Sequence, residues 1–148
     1  MGCPAPHITQ QMAGGALLQN LGLTEKILKT LVKSVDKPVT LKIRAGVDDE
    51  YVFKDIAKIA QRAGVEMITL HARTVKQGYS GESDWSLISE LKKSYLLCIT
   101  TSNHGEKFKI NMLHFNKKDF KIIITGKDIK NGKPHPECYV KTIKKLNL

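Results

Sequence analysis

The feature that most constrains the fold of this 148-residue chain is a regular alternation of helical and strand-like segments. From Leu23 to Val35, the residues Ile27, Leu28, Leu31, Val32 and Val35 recur at helical spacing; Thr24 is the expected cap and Asp36-Lys37-Pro38 the stop. Val39 to Ile43 alternates apolar and polar side chains, the period of a strand. Asp48-Asp49-Glu50 is an acidic start suited to a helix carrying Val52, Ile56, Ile59, Ala60 and Ala63 on one face, with Gly64 past its end. Met67 to His71 is a second strand, and Trp85 to Lys93 a short helix. The remainder repeats the pattern: strand Tyr95–Thr100, helix Glu106–His114, strand Phe120–Thr125, a stiff turn at 132–136 and a helix Glu137–Leu146. Such alternation argues for βαβ units, an α/β class and an open parallel sheet of about four strands.

Charge divides the chain more sharply than any linker does. Residues 1–95 hold 13 Lys and Arg against 10 Asp and Glu, whereas residues 96–148 hold 11 lysines, no arginine and four acids. The total of +10 admits nucleic acid as a partner, but scattered lysines are more often a solvated face, and arginine forks phosphate better. No apolar run approaches the ~18 residues of a membrane span, and the first ten residues lack the regions of a signal peptide. Three cysteines without metal-type spacing suit reduced thiols in a cytoplasmic protein.

In parallel sheets, chemistry gathers at the C-terminal edge of the strands. Lys42 and His71 stand near the ends of consecutive predicted strands, either as functional groups or as an edge lysine and a hydrogen-bonded histidine. Cys3, between Gly2 and Pro4, sits in a turn-forming context where a thiol is accessible and able to donate a proton.

Five ordered motifs give these residues a context. Met1-Gly2-Cys3-Pro4-Ala5-Pro6, Ala13-Gly14-Gly15-Ala16-Leu17-Leu18, Pro38-Val39-Thr40-Leu41-Lys42-Ile43-Arg44, His71-Ala72-Arg73-Thr74 and Gln77-Gly78-Tyr79-Ser80-Gly81 with Asp84-Trp85 together resemble a segment of the tRNA-dihydrouridine synthases, over residues 1 to about 93. The resemblance implies βα units of a TIM barrel that holds FMN at its C-terminal face, with NADPH as reductant and a uridine of tRNA as substrate. It implies that Cys3 protonates C5 of the uracil while flavin hydride goes to C6. Lys42 and His71 match flavin contacts, Arg73 lies in the same motif, and Tyr79 and Trp85 match loop packing. The family's earlier strands, its later phosphate-holding strands and its tRNA-gripping helical domain have no counterpart here, so an incomplete piece of such an enzyme is expected.

Residues 96–148 resemble a different family. Leu97-Cys98-Ile99-Thr100-Thr101-Ser102-Asn103 and Ile123-Ile124-Thr125-Gly126-Lys127-Asp128, with Gly132-Lys133-Pro134-His135-Pro136-Glu137, are similar to the second and third motifs of haloacid-dehalogenase-type phosphohydrolases, a Rossmann-like fold. That resemblance implies phosphate binding by Thr101 and Lys133 and a Mg cofactor. The nucleophilic Asp-x-Asp motif is absent, and without an attacking aspartate that mechanism cannot run. The expected division is a partial barrel at 1–94 and a partial phosphohydrolase segment at 95–148. Three functions stand side by side: a dihydrouridine synthase piece, a phosphatase-type piece, and a catalytically silent binding module.

Overall fold

The structure is a computed structural model that describes residues 1–132 and 134–147. Among the described residues the chain forms six α-helices and four strands, in two units, Met1–Leu87 and Ile88–Leu148. The strands are parallel, as the alternation predicts, but they hydrogen-bond as two separate pairs instead of one four-stranded sheet.

In the first unit, strand β1 (Thr40–Arg44) pairs with β2 (Met67–His71), Lys42 opposite Thr69 and Arg44 opposite His71. Helix α2 (Leu21–Ser34) precedes β1, and helix α3 (Phe53–Ala63) makes the crossover between the strands. Leu28, Leu41, Ile43, Phe53, Ile56 and Ala60 form the core, each at most 5% exposed. α3 ends as its sequence predicts: Gly64 takes the left-handed conformation at φ 86°, and the amides of Gly64 and Val65 close the last turn on Gln61 and Ala60 carbonyls.

The start of α2 corrects the sequence expectation. Asn20 caps it, its side chain accepting from the Leu23 amide at 2.9 Å. Thr24 lies inside the helix, fully buried, and its hydroxyl donates to the Leu17 carbonyl at 2.8 Å. The acids 48–50 likewise start no helix. They form bends, and α3 begins at Phe53, whose amide is taken by the Ala45 carbonyl. The sequence pattern also missed the short helix α1 (Pro6–Thr9) and a 3-10 segment at Gly14–Gln19.

Helix α4 (Ser86–Leu91) follows, with Asp84 accepting from the Ser86 amide and hydroxyl at 3.0 and 2.6 Å. In the second unit, strand β3 (Leu97–Thr100) pairs in parallel with β4 (Phe120–Ile124) through an irregularity at Leu97/Cys98. Helix α5 (Gly105–Met112) supplies the crossover. Helix α6 (Glu137–Leu146) packs on both strands, burying Cys138 and Thr142 beside a core that includes Ile124. No helix is long and apolar enough to cross a membrane, among the described residues.

Candidate functional site

The C-terminal edge of β1–β2 collects four cationic or cation-capable side chains within two short stretches: Lys42, Arg44, His71 and Arg73. Alternation along β1 puts Leu41 and Ile43 into the core and Lys42 on the exposed face. Arg44 shares the parity of Lys42, yet it is only 1% exposed. The cover comes from elsewhere in the chain. Its Nε donates to the Gly2 carbonyl at 3.0 Å, and its Nη1 donates to the carbonyls of Thr74 and Gly78 at 2.9 and 2.7 Å. The Tyr79 ring lies over the guanidinium with its centroid 5.4 Å away. Tyr79 itself is 79% exposed, and its ring packs from the loop onto Arg44 and 6.2 Å from the His71 ring.

The Cys3 segment is seated against this edge. A Cβ built on Gly2 would come within 3.4–3.5 Å of Ile43 and Lys42 backbone atoms, which places the Gly2 peptide directly on β1. The Cys3 carbonyl accepts from the Gly15 amide at 2.9 Å, and its side chain is exposed. Gly14 and Gly15 permit that approach. Gly14 has φ 58°, and a Cβ there would lie 2.9 Å from the Cys3 carbonyl oxygen. The paired glycines of the sequence motif are therefore the floor on which the cysteine loop rests.

His71 and Arg73 complete the cluster. Burial, followed by the charges of Arg44, Lys42 and Arg73, lowers the His71 pKa from 6.5 to about 4. The ring is neutral at pH 7. Arg73 Nη1 points at its Nε2 at 3.5 Å, a long contact that favours the proton on Nδ1, and Arg73 Nη2 donates to the Gly81 carbonyl at 2.8 Å. Arg73 Nε is buried without a hydrogen-bond partner. A buried donor of that kind seeks an acceptor, and its cationic neighbours favour an anionic one.

Of the residues singled out from sequence, the structure gathers Lys42, His71 and Arg73 at one edge, where the Cys3 loop also rests. Arg44 is the site residue that pattern reading missed. Strand alternation gives a side chain's face, not whether distant loops cover it. Thr101 stands in the second unit, just past β3. Its amide donates to the Ile124 carbonyl at 2.9 Å and its Oγ1 accepts from the Asn103 amide at 3.0 Å. Lys133 lies outside the described residues. No group of three or more His, Cys, Asp or Glu side chains is arranged to hold a metal, among the described residues.

Comparison with known proteins gives this geometry a context. The family model for dihydrouridine synthase (Dus) matches residues 1–116. That match runs past the change in composition near residue 95 and takes in β3, Thr101 and α5. The chain is 44% identical over 94 residues to a probable tRNA-dihydrouridine synthase of Rickettsia bellii (strain RML369-C), covering 63% of this chain and 29% of that protein. It is 41% identical over 111 residues to a probable tRNA-dihydrouridine synthase 1 of Synechocystis sp. (strain ATCC 27184 / PCC 6803 / Kazusa), covering 74% and 31%. It is 46% identical over 94 residues to tRNA-dihydrouridine synthase B of Pasteurella multocida (strain Pm70), covering 63% and 28%. The chain thus spans less than a third of the length of these curated relatives.

Proposed function

The chain belongs to the dihydrouridine synthase family, and from that premise we propose that its first unit serves the FMN-dependent reduction of uridine to dihydrouridine in tRNA. The observation that carries this reading is the cationic edge of β1–β2, with an exposed cysteine held beside it. In this reading β1–α3–β2 is a βαβ piece of a TIM barrel, NADPH is the reductant and the protein works in the cytoplasm.

The residues present fit an anionic, acceptor-rich cofactor. Lys42, Arg44 and Arg73 bring positive charge, and the unpartnered Arg73 Nε offers a donor. Lys42, His71 and Arg73 would hold FMN there. Bound FMN would supply the hydride. The neutral His71 offers one N–H and one acceptor nitrogen without adding charge of its own. Cys3 would supply the proton as general acid, from an exposed position that a flipped-out base can reach. The direct test is flavin absorbance of the purified chain and quenching of FMN fluorescence on titration. Quenching that Lys42→Ala and Arg73→Ala weaken supports the reading. A folded, colourless chain that leaves added FMN unquenched overturns it.

A second reading attaches to the other parallel edge. There Gly126 approaches the loop after β3 so closely that a Cβ would lie 2.3 Å from the Ser102 carbonyl oxygen, bringing both strand-end loops together. In that reading residues 95–148 are the phosphohydrolase-type segment, set apart from 1–94, and Thr101 and Lys133 bind phosphate with Mg as cofactor. Titration with inorganic phosphate, followed by amide chemical shifts, tests it: shifts at 101–103 support it, and an unmoved loop removes it.

A further inference from the structure

We propose that Arg44 is the positioning residue of this site, a buried fork that ties the Cys3 loop to the loop after β2 and so sets where the thiol stands. The inference rests on the reading of Cys3 as the proton donor, and it assigns the placement of that donor to Arg44, acting through backbone carbonyls.

Three observations carry it. Arg44 is 1% exposed, and its Nε and Nη1 donate to three backbone carbonyls. A buried guanidinium costs desolvation, and an apolar side chain of similar size would fill the space at lower cost. What the guanidinium adds is directed hydrogen bonding. Its acceptors belong to two segments far apart in sequence, Gly2 on one side and Thr74 with Gly78 on the other. Lastly, Cys3 is restrained through the peptides on either side of it. The Gly2 carbonyl accepts from Arg44 and the Cys3 carbonyl accepts from Gly15, while the Cys3 side chain stays exposed. The position of the thiol is therefore inherited from backbone, which is held by the Met1 amino group on the Lys42 carbonyl at 3.0 Å, by packing of Gly15 against Val75, and by the Arg44 hydrogen bonds that join it to the loop after β2. Lysine retains the charge, but its three donors radiate from one nitrogen and lack the planar fork whose Nε and Nη1 separately face the two loops.

The test is amide hydrogen exchange on the 148-residue chain and its Arg44→Lys and Arg44→Met variants. The Gly15 amide reports the Cys3 loop, the Val75, Lys76 and Gly78 amides report the second loop, and the β1–β2 ladder with α3 reports the core. In both variants the two sets of loop amides are expected to exchange about tenfold faster or more, with the core unchanged. Arg44→Lys serves as the variant that keeps the charge should Arg44→Met fold poorly. Unchanged loop exchange, a change confined to one loop, or core amides loosening in step would each overturn the proposal, the last by showing a merely structural role. Flavin titration of the unsubstituted chain is read separately. Failure there removes the proposed function and leaves the tie standing, whereas unchanged loops in a flavin-binding chain remove the tie alone.

Discussion

The two parallel strand pairs share a topology and differ in how their C-terminal edges are satisfied. At β1–β2 the tie is a cation: Arg44 donates to three carbonyls, Lys42, His71 and Arg73 stand nearby, and a buried Arg73 donor has no acceptor. At β3–β4 the ties are carboxylates. Asp128 accepts from the Thr125 amide and hydroxyl, and Glu137 accepts from the amides of Lys130 and Asn131 and pairs with Lys141 at 2.8 Å. Among the described residues, these second-edge donors find acceptors within their own unit. The first leaves the buried Arg73 Nε without an acceptor. That difference, and not net charge, is what the proposed ligand site rests on, because the more basic segment, residues 96–148, carries the carboxylate-tied edge.

The largest effects come from breaking each edge at its closest backbone approach. A Cβ at Gly46 would lie 1.9 Å from the Glu50 carbonyl oxygen, and one at Gly126 would lie 2.3 Å from that of Ser102. Each Gly→Ala substitution should destabilise its own unit by about 2–3 kcal/mol, read by denaturant unfolding. Faster exchange is expected at Val75 and Lys76 in the first case and at Thr101 and Gly126 in the second. Wild-type stability in either variant would show that its loop yields without cost.

Acid should then separate the two edges by pH. The folded-state pKa of His71 is lowered from 6.5 to about 4, so on acidification the unfolded chain takes up that proton first. Stability should fall as pH drops from 6.5 towards 4, and His71→Asn should flatten this window. The Lys141 ammonium, then the Lys130 and Asn131 amides, hold Glu137 down from 4.5 to about 2. Its contribution is present above 4.5 and lost as pH falls through 2. Unfolding profiles for His71→Asn and Glu137→Gln check the order, and coincident windows would break the contrast.

Much of this was legible in the sequence wherever local periodicity governs. The strand Thr40–Arg44, the helix Phe53–Ala63 and its Gly64 stop follow from spacing and from one left-handed glycine. What was not legible depends on contacts between distant segments. Thr24 has the chemistry of a cap, but burial against Leu17 moves that task to Asn20. Arg44 has the parity of an exposed strand residue, but Gly2, Thr74, Gly78 and Tyr79 enclose it. Alternation predicts strands yet not their partners, so one sheet was expected where two pairs form.

Smaller effects sharpen the contrast further. Asn20→Ala removes the α2 cap and should cost about 1 kcal/mol, measured by urea unfolding. Lys109→Ala breaks an exposed pair with Glu106, with side chains 72% and 79% exposed, and should change stability by only about 0.3 kcal/mol. A larger loss from Lys109→Ala would mean that the lysines of the second half do structural work beyond solvation.

The proposed ligand edge is the cationic C-terminal edge of β1–β2, where Arg73 Nε lacks an acceptor. The most direct measurement is residue-resolved amide exchange of the chain with and without saturating FMN. Slowed exchange around Lys42–Gly46 and His71–Gly81, with residues 97–128 unaffected, is the predicted result. Slowed exchange confined to the β3–β4 edge, or no change anywhere in a folded chain, would contradict it.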